Sequence, residues 1–203
     1  MKGLYLVTPD WDDTQQLLQV TETALHGGVA MIQYRHKTAT PEMRLEQAEC
    51  LLALCRSYKC PLIINDHIDL CIALDADGVH VGGKDASVAE ARAALGSDKI
   101  VGASCYGDLQ LARDAYQAGA NYVAVGGCYA SRVKDYPVTT SPEIIKQAKA
   151  EIPLPCVVIG GMTPENAASL VACGADMVAA ISSVYMAGSP ELTAHRFGEL
   201  FSD

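Results

Sequence analysis

The sequence predicts an α/β protein, a (β/α)8 TIM barrel, in one domain spanning residues 1–203. Three observations carry that expectation. Short apolar runs alternate with amphipathic segments eight times along the chain. The units average roughly 25 residues, short but workable for a barrel. Nearly every polar or glycine-rich cluster stands just after a predicted strand, on the rim where barrels build their sites. A doubly wound sheet shares the alternation, so the third observation is the one that favours the barrel.

Residues 3–8 (GLYLVT) read as strand one, closed by Pro9. Residues 14–25 follow at helical period, and Gly27-Gly28 stops them. Residues 29–34 form strand two and run into Arg35-His36-Lys37. Pro41 opens a long helix to residue 58, at a first-turn position where proline is tolerated. Leu62-Ile63-Ile64 is a branched apolar run suited to a strand buried on both faces, and it stops at Asn65-Asp66. Residues 68–74 carry an apolar face at helical spacing, and residues 78–81 form strand four, which runs out into Gly82-Gly83-Lys84-Asp85. A helix over 87–95, strand five over 100–103, a helix over 109–118 and strand six over 122–125 follow. Gly126-Gly127 then leads into the longest loop, 128–140. A helix over 142–150, strand seven over 156–159 ending at Gly160-Gly161, and a helix over 164–173 precede strand eight, 177–181. That strand ends at Ser182-Ser183, before a last helix over 190–201.

Half of the 203 residues are hydrophobic, enough for a large core. The net charge of −9 argues against a nucleic-acid surface, which would show basic clustering, but leaves room for a local gathering of lysine and arginine around phosphates. Met1-Lys2-Gly3 moves straight into a strand without a signal-peptide pattern, and there is no uncharged apolar run of about 18 residues to span a membrane. The eight cysteines include no Cys-x-x-Cys pair, and Cys71, Cys128 and Cys156 sit in apolar segments as small core residues. A reduced, cytoplasmic protein is expected. The helix faces of a barrel this size also offer surfaces for a homo-oligomer.

Residues 61–85 concentrate the chemistry. If strands three and four are parallel neighbours they lie roughly 4.8 Å apart, and Asp66 and Asp85 overhang one rim. Two carboxylates that leave room for waters and phosphate oxygens hold Mg²⁺ in the usual way. Helix capping accounts for either aspartate singly. Arg35 and Lys37, two apart at a strand end, offer a planar fork and a mobile point charge to a polyphosphate, or form a solvated loop. Ser104, at the end of strand five, binds a phosphate oxygen or caps the next helix. The glycine loop at 160–161 and the segment 181–183 occupy the phosphate-binding corner of this architecture, after strands seven and eight. Together they suggest a diphosphate with a metal and a separate monophosphate on one rim.

The chain resembles the thiamine phosphate synthase family. The resemblance rests on GLYLVTP at the start, QYRHK (Gln33, Arg35, Lys37), IIND (Asn65, Asp66), ADGVHVGGKD ending at Asp85, GAS with Ser104, Lys134, IGGM (Gly160, Gly161) and VAAISSV. These motifs cover all eight units in order. The resemblance implies the joining of 4-amino-5-hydroxymethyl-2-methylpyrimidine diphosphate to 4-methyl-5-(2-phosphoethyl)thiazole with release of pyrophosphate. It implies that Gln33 holds the pyrimidine, and that Arg35, Lys37, Asn65, Ser104 and Lys134 surround the diphosphate. Asp66 and Asp85 would bind Mg²⁺, and the thiazole phosphate would meet backbone amides at Gly161, Ile181 and Ser182. The reaction needs no general base, so none of the five histidines needs a catalytic role. His36 and His67 flank the site, while His26, His80 and His195 read as structural.

One segment departs from the family pattern, which there reads Pro-x-Phe-x-Thr-x-Thr-Lys. Here it is Gly127-Cys128-Tyr129-Ala130-Ser131-Arg132-Val133-Lys134. Ser131 keeps a hydroxyl for the thiazole phosphate and Val133 loses the second one, which Arg132 is placed to offset by charge. The alternatives are a thiazole tautomerase-like homologue, a non-catalytic binding protein for thiamine precursors, and a phosphate-sugar isomerase with Asp66 as base. Retention of the diphosphate and metal residues favours the synthase, and Gly127 stands where the tautomerase shuttle would need a histidine after Gly126.

Overall fold

The computed structural model describes residues 1–82, 86–129 and 140–202. Eight parallel strands close into a barrel in chain order, β1 pairing with β8. In sequence they are β1 (Gly3–Val7), β2 (Met31–Tyr34), β3 (Leu62–Asn65), β4 (Gly78–Val81), β5 (Ile100–Ser104), β6 (Tyr122–Val125), β7 (Cys156–Ile159) and β8 (Met177–Ala180). Between them run α1 (Thr14–His26), α2 (Pro41–Ser57), α3 (Ile68–Leu74), α4 (Val88–Leu95), α5 (Leu109–Gln117), α6 (Pro142–Glu151) and α7 (Pro164–Ala172). A one-turn helix, α8 (Ser182–Tyr185), and the final α9 (Pro190–Glu199) follow β8. Among the described residues no helix is long and apolar enough to cross a membrane.

The expected barrel is the observed one, with differences of a residue or two at element ends, two of which have a local cause. Strand two begins at Met31 rather than residue 29, because Gly28, at φ +92°, is still turning the chain out of α1. Strand eight stops at Ala180, and Ser182–Tyr185 wind into α8, a single turn too short to leave a period in the sequence. The end of α1 packs against α9, and Gly27 permits it: a Cβ there would overlap the carbonyl oxygen of Glu191.

Each strand divides its side chains between the barrel interior and the helix layer. Leu4, Leu6, Ile32, Tyr34, Leu62, Ile64, Val158 and Val178 face out and share a core with helix residues such as Leu17, Leu51 and Leu170. A second outer cluster joins Val79, Val81, Val101, Ala103 and Val123 to Ala91, Ala112 and Ala115. The alternate residues turn inward, where Tyr5, Val7, Met31, Ile63, Tyr122, Ala124, Val157, Met177 and Ala179 fill the barrel. This period-2 division fixes the site: Gln33, Asn65, His80 and Ser104 all have inward parity, and Arg35 and Ile181 continue it just beyond their strands. All eight cysteines are free thiols. Cys71, Cys128 and Cys156 are buried core residues as expected, their thiol pKa values pushed up by burial to about 11, about 11 and about 12.

Candidate active site

A cavity of about 470 Å³ opens at the C-terminal ends of the strands. Gln33, Arg35, Asn65, Ser104, Gly161, Ile181 and Ser182 all line it, at the ends of five strands (β2, β3, β5, β7 and β8) or in the turns that follow. A smaller cavity of about 230 Å³ adjoins it through the shared Asn65 and is lined by Lys37, Asp66, Tyr34, His36, Arg44 and His67. The expected cation pair is therefore divided: Arg35 faces the large cavity and Lys37 the small one. Asp85, Ser131, Arg132 and Lys134 lie outside the described residues.

Arg35 is 7% exposed and tightly held. The Thr8 hydroxyl accepts from its backbone N–H at 2.7 Å and donates to its carbonyl at 2.9 Å, tying β1 to β2. Its Nη1 donates to both carboxylate oxygens of Asp10 at 3.2 Å, while its buried Nε has no partner among the described residues. Asp10 also accepts from the Lys37 backbone N–H at 2.8 Å, so one carboxylate on the β1 loop organises the whole 35–37 turn. Sequence reading missed Asp10 because its partners lie 25 and 27 residues away. Asp10→Ala should raise the KM for an anionic substrate held by Arg35 about tenfold, with a smaller change in kcat. Steady-state kinetics checks this, and an unchanged KM would assign Asp10 no part in placing Arg35.

Asp66 sits at φ +64°, its backbone N–H donating to the His80 carbonyl at 2.9 Å. Its Oδ2 accepts from Lys37 Nζ at 3.2 Å and from the Asn65 side-chain amide, and Oδ1 has no donor among the described residues. Capping does not account for it. The N-cap of α3 is His67, which makes no side-chain cap bond, and the cap of α4 is Ser87, in a capping box with Glu90. A carboxylate held in the left-handed region with one oxygen unused suits a hard-cation ligand. Among the described residues no group of three or more acidic, histidine or cysteine side chains gathers to form a metal site, and the second expected ligand, Asp85, is outside them.

Ser104 is not a cap either, since Asp108 caps α5 through the Gln110 N–H at 2.8 Å. Its hydroxyl bonds His80 Nε2 at 2.8 Å. His80, read from sequence as structural, thus lines the large cavity in contact with an expected site residue. The signal was available: in Gly78-Val79-His80-Val81 the one polar residue has inward parity.

At the opposite corner Gly160 and Gly161 take φ +113° and +60°. The first carries the chain past Gly127 and Cys128, whose backbone nitrogens lie 3.1 and 3.2 Å from where a Cβ would sit. Asn166 Nδ2 holds the Gly161 carbonyl at 2.9 Å. The backbone N–H groups of Gly161, Ser182 and Ser183 donate to no acceptor among the described residues, and the Ser183 hydroxyl is buried without a partner. Unspent donors at a glycine turn and at the start of a helix turn favour an anion. Ser183 fell within the expected phosphate-binding corner, but its side chain was given no role from sequence alone.

Residues 4–184 match the thiamine monophosphate synthase family model. The chain belongs to that family. A thiamine-phosphate synthase of Janthinobacterium sp. (strain Marseille) is 65% identical over 202 residues, covering 100% of this chain and 98% of the relative. That of Methylobacillus flagellatus is 48% identical over 203 residues, covering 100% and 96%. Among solved structures, a thiamine phosphate pyrophosphorylase from Pyrococcus furiosus superposes with a TM-score of 0.85 at 28% identity, covering 98% of this chain and 95% of that one. This member of the thiamine monophosphate synthase family is accordingly a transferase, and the expected enzyme class and fold both hold.

Proposed function

We propose that the protein joins 4-amino-5-hydroxymethyl-2-methylpyrimidine diphosphate to 4-methyl-5-(2-phosphoethyl)thiazole, giving thiamine phosphate and pyrophosphate. The supporting observation is the gathering of Gln33, Arg35, Asn65 and Ser104 on one side of the large cavity, with the 161–183 donors on the other. That spacing suits a diphosphate and a monophosphate held apart. The small cavity, with Lys37 and Asp66, extends the first site.

In this reading the bond between the pyrimidine methylene carbon and the diphosphate oxygen breaks first, its electrons leaving with the oxygen. The electron-rich aminopyrimidine carries the resulting positive charge. The thiazole nitrogen then closes the new C–N bond with its lone pair, so no side chain has to take a proton. Arg35 and Lys37 are fixed cations that lower the cost of charge building on the departing diphosphate. In the free protein Asp10 and Asp66 hold them in place. Asn65 and Ser104 supply hydrogen bonds to the same group, and Lys134 is a further cation for it. Gln33 orients the pyrimidine, while Gly161, Ile181, Ser182 and Ser131 hold the thiazole phosphate in line for capture. Asp66 and Asp85 are the residues that would hold Mg²⁺, which when bound neutralises the leaving group. Eight free thiols, six of them buried, suit a reducing cytoplasm.

The test is a chromatographic assay of purified protein with both substrates, with Mg²⁺ and with chelator. Equal amounts of thiamine phosphate and pyrophosphate, formed only with the metal, are expected. Binding of the thiazole phosphate without any product would overturn the synthase reading.

A further inference from the structure

The barrel interior holds a continuous run of polar contacts that joins the two sides of the proposed pyrimidine diphosphate site. Gln33 Nε2 donates to the Tyr5 hydroxyl at 2.6 Å. The Tyr5 and Tyr122 hydroxyls are 2.7 Å apart. Tyr122 bonds His80 Nδ1 at 2.9 Å, and His80 Nε2 bonds the Ser104 hydroxyl at 2.8 Å. The rings are locked by packing: Tyr5 meets Tyr122 edge-on at 5.7 Å, and His80 stacks on Tyr122 at 5.6 Å. Both tyrosines are essentially sealed from solvent, and burial raises their pKa values well above the ordinary tyrosine value, so both stay protonated.

The proton positions follow from counting donors. A carboxamide nitrogen only donates, so the Tyr5 oxygen accepts and its single hydrogen goes to Tyr122. Tyr122 then gives its own hydrogen to His80 Nδ1. A neutral imidazole that accepts at Nδ1 carries its hydrogen on Nε2 and donates it to the Ser104 oxygen. With the Gln33 nitrogen on Tyr5, any other arrangement leaves a buried hydroxyl hydrogen without an acceptor, at the full desolvation cost of that donor. Patterns that run the Tyr5–Tyr122 bond the other way need the Gln33 oxygen on Tyr5, and the placement of the Gln33 nitrogen there selects against them.

We propose that Tyr5, Tyr122 and His80 are positioning residues forming a one-way hydrogen-bond chain that sets what both ends offer the substrate. At one end the Gln33 carboxamide presents its oxygen, an acceptor for the 4-amino group of the pyrimidine. At the other the Ser104 hydroxyl is left to donate to an oxygen of the departing diphosphate. The reversed chain would present an amide N–H and a hydroxyl lone pair, which suits a 4-oxo ring and works against the leaving group. The chain therefore couples recognition of the aminopyrimidine to readiness for its ionisation. This inference rests on the synthase reading and deepens it.

The experiment has two arms. In wild-type protein, ¹⁵N NMR of the His80 imidazole, assigned through the β4 backbone, should show the Nε2–H tautomer at neutral pH. An Nδ1–H tautomer or an imidazolium would overturn the chain, and this arm needs no variant to fold. In the second arm kcat/KM is compared for the 4-amino pyrimidine diphosphate and its 4-oxo counterpart. Tyr5→Phe, which frees the Gln33 amide to turn, should cut the preference for the amine by about tenfold while leaving the KM for thiazole phosphate unchanged. If wild-type protein turns over but Tyr5→Phe keeps the same preference, the chain is wrong and the synthase reading stands. If wild-type protein gives no thiamine phosphate, both fall.

Discussion

Asp66→Asn should lower turnover by about 10²–10³-fold while leaving the melting temperature close to that of the wild type. The substitution keeps the shape and suits the backbone, because asparagine is among the few residues that readily occupy the left-handed region found at residue 66. It removes one negative charge from a carboxylate whose Oδ1 has no donor among the described residues and whose Oδ2 holds Lys37. The loss should therefore fall on the chemical step and be accompanied by a weaker dependence on Mg²⁺ concentration. Single-turnover rates across a Mg²⁺ titration give the measurement. Near-normal turnover with an unaltered Mg²⁺ response would remove Asp66 from the metal and leave it only as an anchor for Lys37.

Gly102→Ala should destabilise the barrel by about 1–3 kcal/mol, lowering the melting temperature by roughly 5 °C, and should also slow turnover. Residue 102 lies on β5 with inward parity, and a Cβ there would fall on the Tyr122 ring. That ring cannot simply move aside. It is fully buried, edge-on to Tyr5 and stacked on His80, with its hydroxyl shared between them. Displacing it breaks a buried polar network and shifts His80, the partner of Ser104. Thermal unfolding and kcat, measured together, check both halves. A variant with wild-type stability would mean that the interior has room the packing does not show.

Much of this was legible in the chain. The eight strands appear within a residue or two of their expected bounds because each strand is a short branched run closed by glycine, proline or a polar pair. The rim was legible for the same reason: Gln33, Arg35, Asn65, Asp66 and Ser104 stand at strand ends by sequence alone. Less legible was which face of each strand turns inward. Barrel strands are apolar on both faces, so alternation is hidden wherever a valine is followed by an alanine or isoleucine. Tyr5 and Tyr122 read as ordinary core for that reason, and His80 as structural, until closure brought three strands together. Asp10 was hidden for another reason. Asp10, Asp12 and Asp13 form an acidic run after strand one, and only the fold shows that Asp10 meets Arg35 while Asp13 caps α1. The capping alternatives for Asp66 and Ser104 also needed the structure, which gives those caps to His67 and Asp108.

The central claim is that the carbon–oxygen bond to diphosphate breaks before the thiazole nitrogen bonds, the protein acting by fixed charge and orientation. The direct measurement is the single-turnover rate with a pyrimidine diphosphate whose 2-methyl group is replaced by trifluoromethyl. An electron-poor ring carries positive charge badly, so the rate should fall by orders of magnitude while the binding constant changes little. A rate equal to that of the natural ring would contradict the account and point to direct displacement by the thiazole nitrogen.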